Sequence, residues 1–198
     1  MSYEVKNAYT KGKTLCMKNY EDWYEEAKLL YDKGSWGHAY ALLFSGLEAL
    51  TQAYCCRLVE LEIWDPDKKE FLGVFNENKD GHYKRMKILH DFILSTNNIE
   101  IMLKHTGNLH ILYEKIEKKE AKRHQNKIGH SLGDFRDYLM GIRNHGIYVD
   151  YNKETHEFSS PFDIRQEDVD EFLRVSSIPT QVIKDMIESE ILTRTDYL

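Results

Sequence analysis

Proline is so scarce in this chain that long stretches are free to form helices. The 198 residues contain three prolines, at positions 66, 161 and 179. Proline lacks a backbone N–H and clashes with the preceding turn, so it ends or kinks most helices. Each of the three lies where the surrounding pattern places a boundary, and the sequence therefore predicts a fold built mainly from long helices.

Apolar residues recur at helical spacing along most of the chain. The strongest stripe lies in the second predicted helix and consists of Ala39, Leu42, Leu43, Leu47, Leu50, Ala53, Tyr54 and Leu58. We predict helices over these segments: 20–33, 35–63, 79–96, from Asn98 or Leu109 to about Lys127, and 167–191, the last of which Pro179 can interrupt. These helices predict an all-α antiparallel bundle.

One segment has strand-like rather than helical spacing. In the sequence IYVDYNKETHEFSSPF, alternating side chains flank a polar turn, which predicts a small β-hairpin near 147–160. The length suits a single domain over residues 1–198. Within that domain, we expect residues 1–19 to form a less ordered N-terminal arm.

Several classes of protein and site are disfavoured by the sequence. The longest apolar-rich region, residues 38–64, contains Glu48, Arg57 and Glu60, which predicts a buried helix and no membrane span. The three cysteines show neither a metal-ligand spacing nor paired spacing, which predicts free thiols in a reducing cytoplasm and no metal site. There is no glycine-rich phosphate loop, and we expect no cofactor.

The charge of the chain is unevenly distributed. The formal net charge is −6, yet residues 79–130 hold many lysines and arginines and six of the nine histidines. A basic centre inside an acidic protein is compatible with a phosphate-binding groove. Lysines and glutamates at helical spacing in EKIEKKEAK are equally typical of a solvated helix face.

A short polar segment at the start of the predicted hairpin carries most of the candidate chemistry. Eight consecutive residues hold a guanidinium, an amide, an imidazole, a phenol and a carboxylate: Arg143, Asn144, His145, Tyr148 and Asp150. Alternation along the strand places Tyr148 and Asp150 on one side. The segment predicts a small site for a phosphate-bearing substrate, or else a structural Arg143–Asp150 ion pair with Tyr148 in the core.

A second group of candidate residues lies on two predicted helices. His82 and Arg85 are three residues apart, so both can contact one ligand from the same helix face. Glu48 lies amid an apolar helix, where an unpaired carboxylate is costly, and we expect Arg85 or Arg143 as its basic partner. In the alternative interpretation, Glu48 lies at the edge of the apolar stripe and reaches water.

Three segments of the chain resemble the AbiV family of bacterial abortive-infection proteins, which belongs to the HEPN domains. The resemblance lies in AKLLYDKGSWGHAYALLFSGLEAL, in GHYKRMK, and in RNHGIYVDYNKETHEFSSP, where Ile147 replaces the leucine of the family. It implies a HEPN-like helical bundle in a cytoplasmic phage-defence effector that arrests the growth of infected cells. It also implies a homodimer and an activating phage-encoded protein.

HEPN domains often cleave RNA without a metal, and the resemblance implies the same chemistry for tRNA, mRNA or ribosomal RNA here. Arg143 would bind the phosphate, His145 or His82 would transfer protons, Asn144 would orient the substrate and Tyr148 would donate to a phosphate oxygen. Glu48, Arg85 and Asp150 are expected to contact the substrate. The alternative is a non-catalytic HEPN-fold protein that acts by binding a phage or ribosomal partner.

The chain departs from the HEPN motif at one position. The family's arginine-to-histidine spacing leads from Arg143 to Tyr148, where many relatives have histidine. Two other pairs have the required spacing: Arg85 with His90, and Arg123 with His130.

Overall fold

The structure of the chain is a computed structural model, which describes residues 2–65, 67, 73–75, 79–94, 146–147, 149–153 and 156–188. The predicted fourth helix, ending near Lys127, lies outside these residues. The described elements are four α-helices, two short strands and one 3-10 helix. This architecture confirms the predicted all-α class.

Helices α1 (Tyr3–Asp32) and α2 (Trp36–Glu60) form the largest helix–helix interface among the described elements. The hydroxyl of Ser2 caps α1 by accepting a hydrogen bond from the backbone N–H of Val5. The predicted start of the first helix at residue 20 is therefore wrong. Residues 3–19, which the sequence analysis assigns to an N-terminal arm, are the first half of α1.

The physical reason for this longer helix is packing by a few side chains within a polar sequence. Tyr9, Cys16 and Met17 are partly buried against clusters that include residues of α2. The intervening residues of α1 are mostly polar or charged, so too few apolar residues recur at helical spacing to indicate a helix from the sequence. Tertiary contacts of this kind stabilise helices whose intrinsic pattern is weak.

Helix α2 lies at the centre of the core and is buried on nearly all sides. Phe44, Leu50 and Ala53 are fully buried in the main hydrophobic cluster. Helix α2 contacts α1, helix α3 (Lys79–Leu94) and helix α4 (Gln166–Glu188). Residues on any face of α2 are therefore held close to another element.

Helix α4 continues through Pro179 without a break. Proline removes one backbone hydrogen bond from a helix, so this continuity requires compensation from elsewhere. The buried residues that pack α4 into the core supply it: Val169, Phe172, Val182, Ile183, Met186 and Ile187. Burial on both sides of the proline keeps the two halves in one helix.

Strands β1 (Asp150–Asn152) and β2 (Glu157–Ser159) pair antiparallel, with Tyr151 opposite Phe158. They fall within the segment 147–160 for which the sequence predicts a hairpin. A 3-10 helix, Pro161–Asp163, follows and is closed by a capping box between Ser160 and Asp163. Among the residues that the structure describes, no helix is both long and apolar enough to cross a membrane.

Candidate functional site

Three of the residues proposed from the sequence lie together in the structure. Glu48 projects from α2, and His82 and Arg85 project from α3. Four others lie outside the described residues: Arg143, Asn144, His145 and Tyr148. Asp150 begins β1, and its side chain is not described. The described part of the candidate site is thus the interface between α2 and α3.

Local sequence explains why these side chains meet. His82 and Arg85 are separated by about one helical turn, so they lie on the same face of α3. Glu48 lies on the part of α2 that this face approaches, and it is 5% exposed. The prediction that Glu48 has a basic partner is confirmed, because Arg85 Nε lies 3.5 Å from Glu48 Oε1. The alternative, in which Glu48 reaches water, is wrong.

The closest contact in the cluster joins Glu48 to His82. Glu48 Oε1 lies 2.6 Å from His82 Nδ1. A carboxylate oxygen and an unprotonated ring nitrogen would repel each other at this distance, because both present lone pairs. The geometry therefore favours a hydrogen on Nδ1 that is donated to Glu48. In neutral imidazole, Nε2 then carries the lone pair and can accept a proton.

Arg85 Nη2 lies 2.9 Å from the same Nδ1 atom of His82. A ring nitrogen that carries a hydrogen cannot also accept one from a guanidinium, so these two contacts compete for Nδ1. When Nδ1 of His82 donates its hydrogen to Glu48, the guanidinium of Arg85 cannot donate to Nδ1. It still lies beside the same Glu48 carboxylate. The position of one proton thus decides which hydrogen bond the cluster makes.

The guanidinium of Arg85 also fixes a turn of the backbone. Arg85 Nη1 donates to the carbonyl oxygen of Val74 at 2.7 Å. Gln52 Nε2 lies 3.4 Å from that same oxygen, so donors from α2 and α3 converge on it. Val74 is fully buried, and its turn is held between the two helices.

The three side chains of the cluster differ in their exposure to solvent. The side chains of Glu48 and Arg85 are 6% and 5% exposed, whereas that of His82 is 20% exposed. Only the imidazole has appreciable access to solvent. Glu48 and Arg85, which the sequence analysis expects at the substrate, are positioned here to hold His82 and the Val74 turn.

Sequence reasoning did not identify Gln52 or the Val74 carbonyl as parts of this cluster. Gln52 follows Glu48 by four residues on α2, so helical spacing is a signal that could have found it. A main-chain carbonyl has no such signal in the sequence. Within the described ranges, no group of three or more histidines, cysteines, aspartates or glutamates could hold a metal ion.

One protein-family model matches nearly the whole chain. The model of the HEPN domain family described as AbiV matches residues 8–195. Searches of the curated proteins and of the solved structures return no match. The matched range contains all three residues of the described cluster and the polar segment that precedes β1. The resemblance inferred from the sequence is confirmed.

Proposed function

Because this chain belongs to the AbiV family of HEPN domains, we propose that it arrests the growth of phage-infected cells by attacking RNA. Family membership indicates the abortive-infection role in phage defence. RNA cleavage is the finer proposal. The observation that supports it is the 2.6 Å contact between Glu48 and His82, which leaves Nε2 of a partly exposed histidine available for proton transfer.

Metal-free RNA cleavage requires a base for the 2′-hydroxyl, an acid for the leaving oxygen and donors for the phosphorane. His82 would transfer one of these protons through Nε2, while Glu48 fixes the orientation and the tautomer of the ring. A carboxylate that orients a histidine has this role in many hydrolases. Arg85 would hold the pair in place through its contacts with the Glu48 carboxylate and the Val74 carbonyl oxygen.

The polar segment before β1 would supply the remaining groups. In this proposal Arg143 binds the phosphate, since a guanidinium offers a permanent charge and two parallel donors. Asn144 orients the substrate, His145 is the second proton-transfer group and Tyr148 donates to a phosphate oxygen.

The test is cleavage of total RNA and tRNA without metal, after addition of lysate from phage-infected cells. His82→Asn preserves a side-chain donor near Nδ1 but removes Nε2, so we expect a rate about 10²–10⁴-fold lower than that of the wild type. His38→Asn is the matched control, because His38 contacts Ser35 at the start of α2. Equal rates for the wild type and His82→Asn, or no cleavage by either, would contradict the proposal.

A non-catalytic role is the second candidate, and the burial of the cluster favours it. Glu48 and Arg85 are both buried and contact each other, which is the arrangement of a structural cluster joining α2 to α3. The protein would then act by binding a ribosomal or phage partner. Growth arrest that persists in His82→Asn without RNA cleavage would support this role.

We propose cytoplasmic action by a homodimer that a phage-encoded protein activates. An effector that stops growth without a trigger would kill its host, so activation must depend on infection. A two-fold interface would bring two copies of each site residue together. Co-purification with phage proteins from infected cells tests the activator, with uninfected cells as the control.

A further inference from the structure

Two of the three cysteines meet at the interface between α1 and α2. Cys16 lies on α1 and Cys56 on α2, and these two helices pack directly against each other. Gly12 precedes Cys16 by one helical turn and lies on the same face. A Cβ built on Gly12 would be 3.3 Å from Cys56 Sγ, so the glycine leaves room for the close approach of the two helices.

The two thiols differ in both acidity and access. The neighbouring thiol of Cys56 lowers the pKa of Cys16, burial opposes this effect, and the positive charge of Arg85 lowers the pKa further. The neighbouring thiol of Cys16, together with burial, raises the pKa of Cys56. Cys16 is also partly exposed, whereas Cys56 is 1% exposed. Thiolate character and access to an oxidant therefore coincide at Cys16.

We propose that Cys16 and Cys56 form a reversible disulfide between α1 and α2 when a peroxide oxidises Cys16. The Cys16 thiolate attacks one peroxide oxygen, and hydrogen peroxide is reduced to water as Cys16 becomes a sulfenic acid. The Cys56 sulfur then attacks the sulfenic sulfur, and the hydroxyl leaves with the Cys56 proton as a second water. Two thiols lose two hydrogens and two electrons in total, and one peroxide accepts them.

The third cysteine provides an internal comparison. Cys55 is fully buried in a separate small cluster with Val59 and Val74. Adjacent residues on a helix point about 100° apart, so Cys55 and Cys56 face different neighbours. Burial raises the pKa of Cys55, which disfavours its thiolate. The reactive pair is thus Cys16 with Cys56, and Cys55 is excluded from it.

The experiment is peroxide treatment of the folded protein, followed by alkylation and non-reducing peptide mapping by mass spectrometry. We expect a Cys16–Cys56 cross-linked peptide, a mass loss of about 2 Da, and reversal by dithiothreitol. A rise in Tm of about 5 °C should accompany the cross-link, since the disulfide restrains the unfolded chain. Cys55→Ala should form the same cross-link.

Two variants separate the steps of the proposal. In Cys56→Ala, Cys16 should be oxidised to sulfenic and then sulfinic acid, with no cross-link. In Cys16→Ala, Cys56 should remain alkylatable after peroxide and unfolding. Circular dichroism establishes that each variant is folded. A wild-type protein whose Cys16 stays reduced, or is oxidised without bonding to Cys56, would overturn the proposal, as would a disulfide containing Cys55. None of these readouts depends on RNA cleavage.

Discussion

At the scale of single residues, the buried carboxylate of Glu48 organises the described site. It accepts from His82, whose side chain is 20% exposed, and lies 3.5 Å from the Nε of Arg85 in a contact that is almost fully shielded from water. In such surroundings a carboxylate and a guanidinium each offset the cost of burying the other. Loss of either one should therefore matter more than loss of an exposed ion pair.

We predict that Glu48→Ala lowers the free energy of unfolding by about 3 kcal/mol, because Arg85 remains buried without this carboxylate. Urea denaturation followed by circular dichroism measures the change. Glu25→Ala is the matched control, since Glu25 forms an exposed ion pair with Lys28 at 3.0 Å on α1. Equal stability of Glu48→Ala and the wild type would show that the buried pair is not stabilising.

Glu60 makes the stability of the protein sensitive to acid. Burial alone would raise the pKa of Glu60, but hydrogen bonds from Lys13, Arg57 and Thr10 outweigh it and lower the pKa from 4.5 to about 2. Lys13 and Arg57 lie 2.7 and 2.8 Å from Glu60 Oε2. The bonds from Thr10 and Lys13 join the first half of α1 to the end of α2, whereas the bond from Arg57 lies within α2.

Because the folded pKa is the lower one, the charged Glu60 stabilises the fold fully above pH 4.5 and loses this effect as pH falls towards 2. We predict that wild type and Glu60→Gln differ most in unfolding free energy at about pH 6 and less at about pH 4 and 3. Urea denaturation at each pH measures the difference. A difference that is constant from neutral to acid pH would contradict the shifted pKa.

At the scale of elements, the contact between α2 and the 3-10 helix depends on a missing side chain. A Cβ on Gly37 would overlap the carbonyl oxygen of Pro161, whose neighbouring backbone atoms lie 2.9 Å from the same position. Backbone atoms cannot move aside as the end of a flexible side chain can. This close approach anchors the segment that follows the hairpin to the start of α2.

We predict that Gly37→Ala lowers the free energy of unfolding by about 2 kcal/mol through overpacking against Pro161. Gly46→Ala is the matched control on the same helix, because its Cβ would lie 3.5 Å from Tyr20, an ordinary contact. Alanine favours helix over glycine, so Gly46→Ala should be neutral or stabilising by up to about 1 kcal/mol. Equal effects of the two substitutions would contradict the described docking of Pro161.

At the scale of the whole molecule, the proposed dimer has a simple signature. We predict that light scattering during size-exclusion chromatography gives about twice the 23.5 kDa mass of one chain. The mass should fall towards that of one chain when the protein is diluted, and this fall should occur only at low protein concentration. A mass of one chain at every concentration would refute the dimer and would require a complete site within a single molecule.

The sequence predicted the helical class, the buried stripe of α2 and the shared face of His82 and Arg85. These features depend on residue spacing within one element, which the sequence shows directly. It also predicted a basic partner for Glu48 but left Arg85 and Arg143 as alternatives. The start of α1 was predicted wrongly because the apolar residues that pack its first half are sparse.

Only the tertiary structure decided which groups meet across elements. It showed that Glu48 pairs with Arg85 and does not reach water, and it placed His82 Nδ1 between a carboxylate and a guanidinium. It also brought Cys16 on α1 close to Cys56 on α2. Such contacts depend on how helices distant in sequence dock, and side-chain spacing along one helix does not specify that docking. Periodicity thus predicted most of the elements and short sequence motifs indicated the family resemblance, while packing determined the chemistry of the described site.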